Sequence, residues 1–212
     1  MLELGAEVLD MTVDRYGASP NLCLKLRLTE SSGAAVSAIA LRAQVRIEPQ
    51  HRQYVPHEAE RLREIFGEPS QWSGSLRPFL WSEVSKTVGQ FTGTTEIDIG
   101  VPCTYDLEVA TGKYFHALEG GEIPLLLLFS GTVFRVEAGR LAVEPVPWHL
   151  EARHRLPAAR WRELMDVYFP GSCWLRLPRT TVDALARFKA DKALSSFEQA
   201  IETLLEAKAA SR

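Results

Sequence analysis

Five histidines, three cysteines and a few strand-borne carboxylates are the side chains of this 212-residue chain that could carry chemistry. His149 and His154, with Glu151 between them, form the pattern His-x-Glu-x-x-His. Residues five apart share neither a helix face nor a strand face. The helical His-Glu-x-x-His of zinc proteases needs its histidines four apart. His51, His57 and His116 are likewise read as hydrogen-bonded or surface histidines, and no metal site is expected. Cys23, Cys103 and Cys173 are odd in number and lack a Cys-x-x-Cys, which argues for free thiols in a reducing compartment. A nucleophilic Cys103 paired with His116 or His149 would lack a local group to orient the base. Ser130 sits in Phe-Ser-Gly-Thr, not in Gly-x-Ser-x-Gly. No Gly-x-Gly-x-x-Gly or Walker sequence is present, so dinucleotide and P-loop chemistry are set aside. Acid–base work by Asp98, Asp106 or Glu108 stays open, because sequence alone cannot place a carboxylate in a cleft. The densest reactive cluster is Cys103, Thr104, Tyr105 and Asp106. The candidate ligand or partner contacts are therefore Cys103, Tyr105, Asp106, His116, Trp148 and His149, joined by Trp72 and Trp81 from an aromatic-rich loop. No catalytic residue and no cofactor is expected.

These side chains must be held by a β-rich body. Residues 123–134, Ile-Pro-Leu-Leu-Leu-Leu-Phe-Ser-Gly-Thr-Val-Phe, are apolar on both alternating sets, the mark of a central strand covered on both faces. Ser130-Gly131 interrupts that run in the manner of a bulge. Residues 7–16, 22–28 and 36–47 alternate cleanly, and their short links predict an antiparallel meander with Lys25, Arg27, Arg42 and Arg46 on a wet face. A short helix is expected over 57–66, closed by Gly67. Residues 68–95 read as irregular, within a long insertion near 49–94 whose aromatic residues either cover the core or form a groove. Further short strands follow at 95–99 and 105–109, with a tight hairpin at 137–140. The fold class is α+β: a mostly antiparallel, sandwich-like or curled sheet over 1–150 and a three-helix segment over 151–212. Apolar stripes mark helices beginning near Pro157, at a capping box Thr180–Asp183 and at a second box Ser195–Glu198. These stripes must be buried on the sheet or on one another.

Bulk properties narrow the partners. A net charge of −3 with both signs interspersed leaves no basic footprint for nucleic acid. No apolar run approaches the roughly 20 residues that span a bilayer, and no signal sequence is evident, so a cytoplasmic protein without membrane insertion is expected.

Five stretches together resemble an uncharacterised actinobacterial family catalogued as a domain of unknown function. They are Val-Pro-Cys-Thr-Tyr-Asp at 101–106, Tyr-Phe-His-Ala-Leu at 114–118, Pro-Leu-Leu-Leu-Leu-Phe-Ser-Gly-Thr at 124–132, Val-Pro-Trp at 146–148 and Gly-Ser-Cys-Trp-Leu at 171–175. Genes of that family tend to neighbour those of nickel–iron uptake hydrogenases, so the resemblance implies an accessory or assembly role that grips another polypeptide. A non-enzymatic protein-binding factor is the expectation. The alternatives are a self-assembling component that forms homo-oligomers, and a small-ligand binder or enzyme with a cleft near Tyr105 and His149.

Overall fold

The computed structural model describes residues 3–104, 106, 109–137 and 139–210. In chain order the strands and helices are β1 Leu4–Asp14, β2 Asn21–Glu30, β3 Ala35–Val36, β4 Ala38–Ile47, α1 Pro56–Phe66, α2 Trp72–Ser75, β5 Phe79–Val88, β6 Phe91–Thr92 and β7 Thr94–Pro102. Then come α3 Ala110–Ala117, β8 Glu122–Glu137, β9 Arg140–Pro145, β10 Glu151–Pro157, α4 Ala158–Tyr168, α5 Arg179–Asp191 and α6 Phe197–Ala210. Two compact units divide the chain, Met1–Trp174 and Leu175–Arg212.

In the first unit β8 is the middle of a sheet ordered β10-β8-β4-β5, with β9 also paired to β8. A second sheet is ordered β1-β2-β7. Strand β1 runs beside β10 and β5 beside β7, so the two sheets face each other as a flattened, nearly closed barrel. All the strand pairings in these two sheets are antiparallel, as the short links require. The core is filled from alternate positions: Leu22, Leu24, Leu26 and Leu28 of β2, Ile39 to Ile47 at every second residue of β4, and Ile123, Leu125, Leu127, Phe129 and Val133 of β8.

Strand β8 is less covered than its composition suggests. The odd-numbered residues lie in the core, but Leu126, Leu128 and Phe134 are only half-buried and Ser130 is exposed. By register Arg46 and Arg153 flank Leu126, while Gln44 and Glu151 flank Leu128. The second face is thus shielded by long polar neighbours rather than by a packed layer, which corrects the expectation of a strand enclosed on both sides. Nor is Ser130-Gly131 a bulge. The β4–β8 register runs unbroken from Ala38↔Phe134 to Ile47↔Leu125. On the other edge the partner changes there, from β10 (up to Leu128) to β9 (from Thr132), and Phe129 N–H and Gly131 C=O bond to Leu150 and Val146 of the connecting loop. Glycine is required because Gly131 has φ +133° and a Cβ on it would stand 2.0 Å from the Ala40 carbonyl oxygen.

The helix expected over 57–66 is α1, and residues 68–95, expected to be irregular, are largely ordered: α2, β5, β6 and the start of β7 occupy them. Strand β5 escapes a period-two reading because Trp81 is bulged out between the pairs Val45↔Ser82 and Arg46↔Leu80, and because Ser82 holds a core-facing position. The start of the segment expected to be helical, Glu151–Pro157, is strand β10, with Ala152, His154 and Leu156 on the inner parity opposite Leu127, Leu125 and Ile123. Helix α4 follows, burying Trp161, Leu164 and Met165, and its Tyr168 hydroxyl donates to the carbonyls of Asp14 and Gly17.

In the second unit α5 begins after Pro178 with no side-chain cap, so the Thr180–Asp183 box does not form. At α6 the cap stands one residue later than expected: Gln199 N–H donates to Ser196 Oγ, while Gln199 Oε1 accepts from the N–H and hydroxyl of Ser195, the residue before the cap.

Replacing Gly131 by Ala combines an unfavourable φ with a backbone clash, so it should lower the unfolding free energy by about 3 kcal/mol or more. Urea denaturation of G131A checks this. A midpoint unchanged from the parent would show that the close β4–β8 approach is not a constraint.

Candidate functional site

Of the aromatic side chains expected to contact a partner, Trp72 and Trp81 pack against the core instead. Trp72 is buried against Tyr54 (ring centroids 5.3 Å) and Phe66 (5.9 Å), with its indole N–H on the Gly67 carbonyl. Trp81 is half-buried and meets Phe115 edge-on at 4.9 Å, and Phe115 in turn stacks on Trp161 at 5.6 Å. Tyr114 links the two ends, 6.0 Å from Phe66 and 5.9 Å from Phe115. One layer of rings therefore glues α1, α2, α3 and α4 to β5, which is the core-covering use of such residues.

Cys103 is buried, its thiol pushed up to about 12 by burial, and its Sγ donates to the Val101 carbonyl. That environment favours the inert thiol over the thiolate. The Asp106 N–H donates to Thr104 Oγ1, and its backbone bridges to Trp174. Tyr105 and Glu108 lie outside the described residues. His116 is exposed on α3. Trp148 is 92% exposed in the loop between β9 and β10, edge-on to His149 at 5.6 Å. So Trp148 and His149 come together at the surface, whereas Trp72, Trp81 and Cys103 are parts of the interior. His154 is half-buried on β10, and burial lowers its pKa despite the opposing charges of Asp10 and Glu122. Among the described residues no three His, Cys, Asp or Glu side chains are grouped so as to hold a metal ion.

A polar cleft of about 810 Å³ lies elsewhere, lined by His51, Arg52, His57, Glu119, Glu122 and Arg155 among others. At its base Arg52 and Glu58, both almost fully buried, pair at 2.8 Å. Arg52 also donates to the carbonyls of Gly120 (2.7 Å) and Glu122 (2.8 Å), while Glu58 accepts from the N–H groups of Glu119 (2.8 Å) and Val55 (3.3 Å). Two histidine–carboxylate pairs stand on the rim, His51 Nδ1 3.4 Å from Glu48 and His57 Nε2 2.5 Å from Glu119. The buried pair clamps the turn before β8 onto the start of α1. Sequence offers no signal for it: Arg52 and Glu58 stand six positions apart, but the turn they hold lies more than 60 positions further on and belongs to no common motif.

Two apolar surfaces remain uncovered. On the outer face of the β8–β9 hairpin, Val136, Leu141 and Val143 are exposed beside Phe134. Among the described residues of the second unit the only buried apolar side chain is that of Ala200, while Val182, Phe197, Ile201, Leu204 and Leu205 are 38–63% exposed. Helix α4 shows the contrast, since its stripe is at most 3% exposed at Trp161, Leu164 and Met165.

The fold and surfaces define an antiparallel α+β protein with a helical appendage. Its sequence matches, over residues 1–212, the model of a family described as Family of unknown function (DUF6084), and the chain belongs to that family. None of the curated proteins matches it. Among solved structures, a β-glucosidase from Kluyveromyces marxianus is similar over 73% of this chain and 15% of that one, at 8% identity and a TM-score of 0.29. Among the described residues no helix is long and apolar enough to cross a membrane.

The Arg52–Glu58 clamp makes stability pH-dependent. Burial alone would raise the Glu58 pKa, but the Glu119 amide, the Arg52 charge and the Val55 amide outweigh it and hold the carboxyl below its ordinary value near 4.5. Glu30 is likewise lowered, its burial outweighed by the Ser32 hydroxyl and the amides of Glu3, Ser32 and Ala34. A folded-state pKa below the unfolded one gives stability that is complete above the unfolded pKa and lost as pH falls through the folded one. Stability should therefore begin to fall as pH drops through the ordinary carboxylate value of 4.5 and go on falling through the lower folded-state values. Glu58→Gln should be less stable at pH 7 and show a shallower acid slope, and Arg52→Ala should cost about 3–5 kcal/mol. An unaltered slope in Glu58→Gln, followed by denaturation at several pH values, would contradict the clamp.

Proposed function

We propose that this protein is a non-enzymatic accessory or assembly factor that binds another polypeptide, and that its C-terminal helical hairpin is the gripping element. The observation that carries the reading is the uncovered apolar stripe of α6. Phe197, Ile201, Leu204 and Leu205 recur at helical spacing and stay exposed, and amphipathic helices of this kind lay their apolar face into a groove of a partner. Glu198, Glu202 and Glu206, also exposed, run alongside at four-residue intervals. The partner groove should therefore be apolar with a basic rim.

The resemblance to an actinobacterial family whose genes tend to neighbour those of nickel–iron uptake hydrogenases supplies the partner: a hydrogenase subunit, met in the cytoplasm. In this reading Trp148 and His149 are surface contacts of the body, and the polar cleft serves the fold.

The test is co-purification of the tagged full chain from a host making the hydrogenase. Hydrogenase subunits should co-elute with the parent, and Ile201→Asp with Leu205→Asp should reduce their recovery by about 10-fold or more. A tagged chain that returns alone, or a double variant that retains the subunits in full, would refute the reading.

A further inference from the structure

We propose that two copies of this chain associate through β9, edge to edge, about a two-fold axis passing at Ala142. Among the described residues strand β9 is paired on one side only, to β8, with Glu137↔Arg140, Arg135↔Ala142 and Val133↔Glu144 in register. Closed by a two-residue turn, this register directs the backbone groups of Arg140, Ala142 and Glu144 toward β8. Those of Leu141 and Val143 point away from it, and both residues are exposed (66% and 55%). An exposed edge of free N–H and C=O groups is a template for another strand.

What selects a second copy as the occupant is the self-complementarity of the five residues Arg-Leu-Ala-Val-Glu at 140–144. With the axis at Ala142, an antiparallel neighbour sets Leu141 opposite Val143 of the other chain, and Val143 opposite its Leu141. These are the residues whose backbone groups are free, so each pair exchanges two hydrogen bonds. The same register sets Arg140 opposite Glu144 at both ends, opposite charges in directly facing positions, so Arg140 joins a carboxylate to which Arg135 of the other chain already donates. It brings the two Ala142 side chains, the smallest of the five, together on the axis. On the outer face Leu141 and Val143 of both chains extend the apolar strip that Phe134 and Val136 begin. Shifting the axis by one residue would lose either the backbone match or the charge match.

The arrangement also closes. Pro145 follows the ladder and has no N–H to offer, and at the other end the hairpin turns. At the far side of the sheet β5 lies beside β7 and so offers no equivalent edge. The product is a discrete dimer formed by one patch used twice. This surface belongs to the first unit and is independent of the helical stripe on which the proposed function rests.

Light scattering after size exclusion, over a concentration series, should give twice the 23.7 kDa chain mass at the upper end. Val143→Pro removes an N–H that faces away from β8, so the chain should stay folded by circular dichroism yet run as a monomer. In a Cys173→Ser background, Ala142→Cys should form an inter-chain disulfide on mild oxidation, since the axis pairs this position with itself. Arg140→Cys, which faces Glu144, should crosslink at least tenfold less. Three outcomes overturn the proposal: a parent monomeric throughout, a dimer that survives Val143→Pro, or equal crosslinking at 140 and 142. A monomer whose β9 pairs instead with a strand of another protein counts as the first of these.

Discussion

Ten consecutive residue pairs between β4 and β8, closed up by the absent side chain of Gly131, are the constraint on which the other elements depend. Strand β8 gives one edge wholly to β4 and divides the other between β10 and β9. Its length thus fixes where the chain can leave and re-enter the sheet. The loop carrying Trp148 exists because the partner changes at Ser130-Gly131. The two apolar sets along β8 then have unequal fates. One set lies in the core between the sheets, and the other is half-buried between Arg46, Arg153, Gln44 and Glu151 until it reaches the exposed outer face of the β9 hairpin.

The polar clamp protects the start of that strand. Arg52 and Glu58 are buried charges, and burying them is tolerable because each is paired and almost every remaining donor and acceptor finds the backbone of the turn before β8. The same network brings α1 to α3, where Tyr114 donates its hydroxyl to Tyr54, which itself bonds to the Pro49 carbonyl. The aromatic layer and the clamp are therefore two halves of one joint between the helices and the sheet.

Much of this architecture was legible in the sequence because period two survives wherever one face is apolar. Leucine at 22, 24, 26 and 28, and the alternation from Ile39 to Ile47, lead straight to β2 and β4. Legibility fails where a polar residue takes an inner position or a bulge breaks phase. Ser82 and the bulged Trp81 conceal β5, and His154 opposite Leu125 conceals β10. The doubly apolar run correctly located the centre of the sheet but overstated its cover, since period alone cannot distinguish a packed layer from long polar stems. Of the candidate contacts, Trp148 and His149 are at the surface as a pair. Trp72 and Trp81 went to the interior because large rings are worth more as core than as bait. The clamp was invisible, as its residues meet only through the tertiary fold.

Strand β8 anchors the sheet, whereas the apolar stripe of α6 stays exposed. Amide hydrogen exchange of the purified full chain separates the two. The amides of Leu125, Leu127 and Val45, deep in the ladder, should exchange only with global unfolding, and those of Ile201, Leu204 and Leu205 should exchange at least a hundredfold faster until a partner is added. Equal protection of α6 and β8 in the isolated chain would contradict the claim that this helix is kept for another protein.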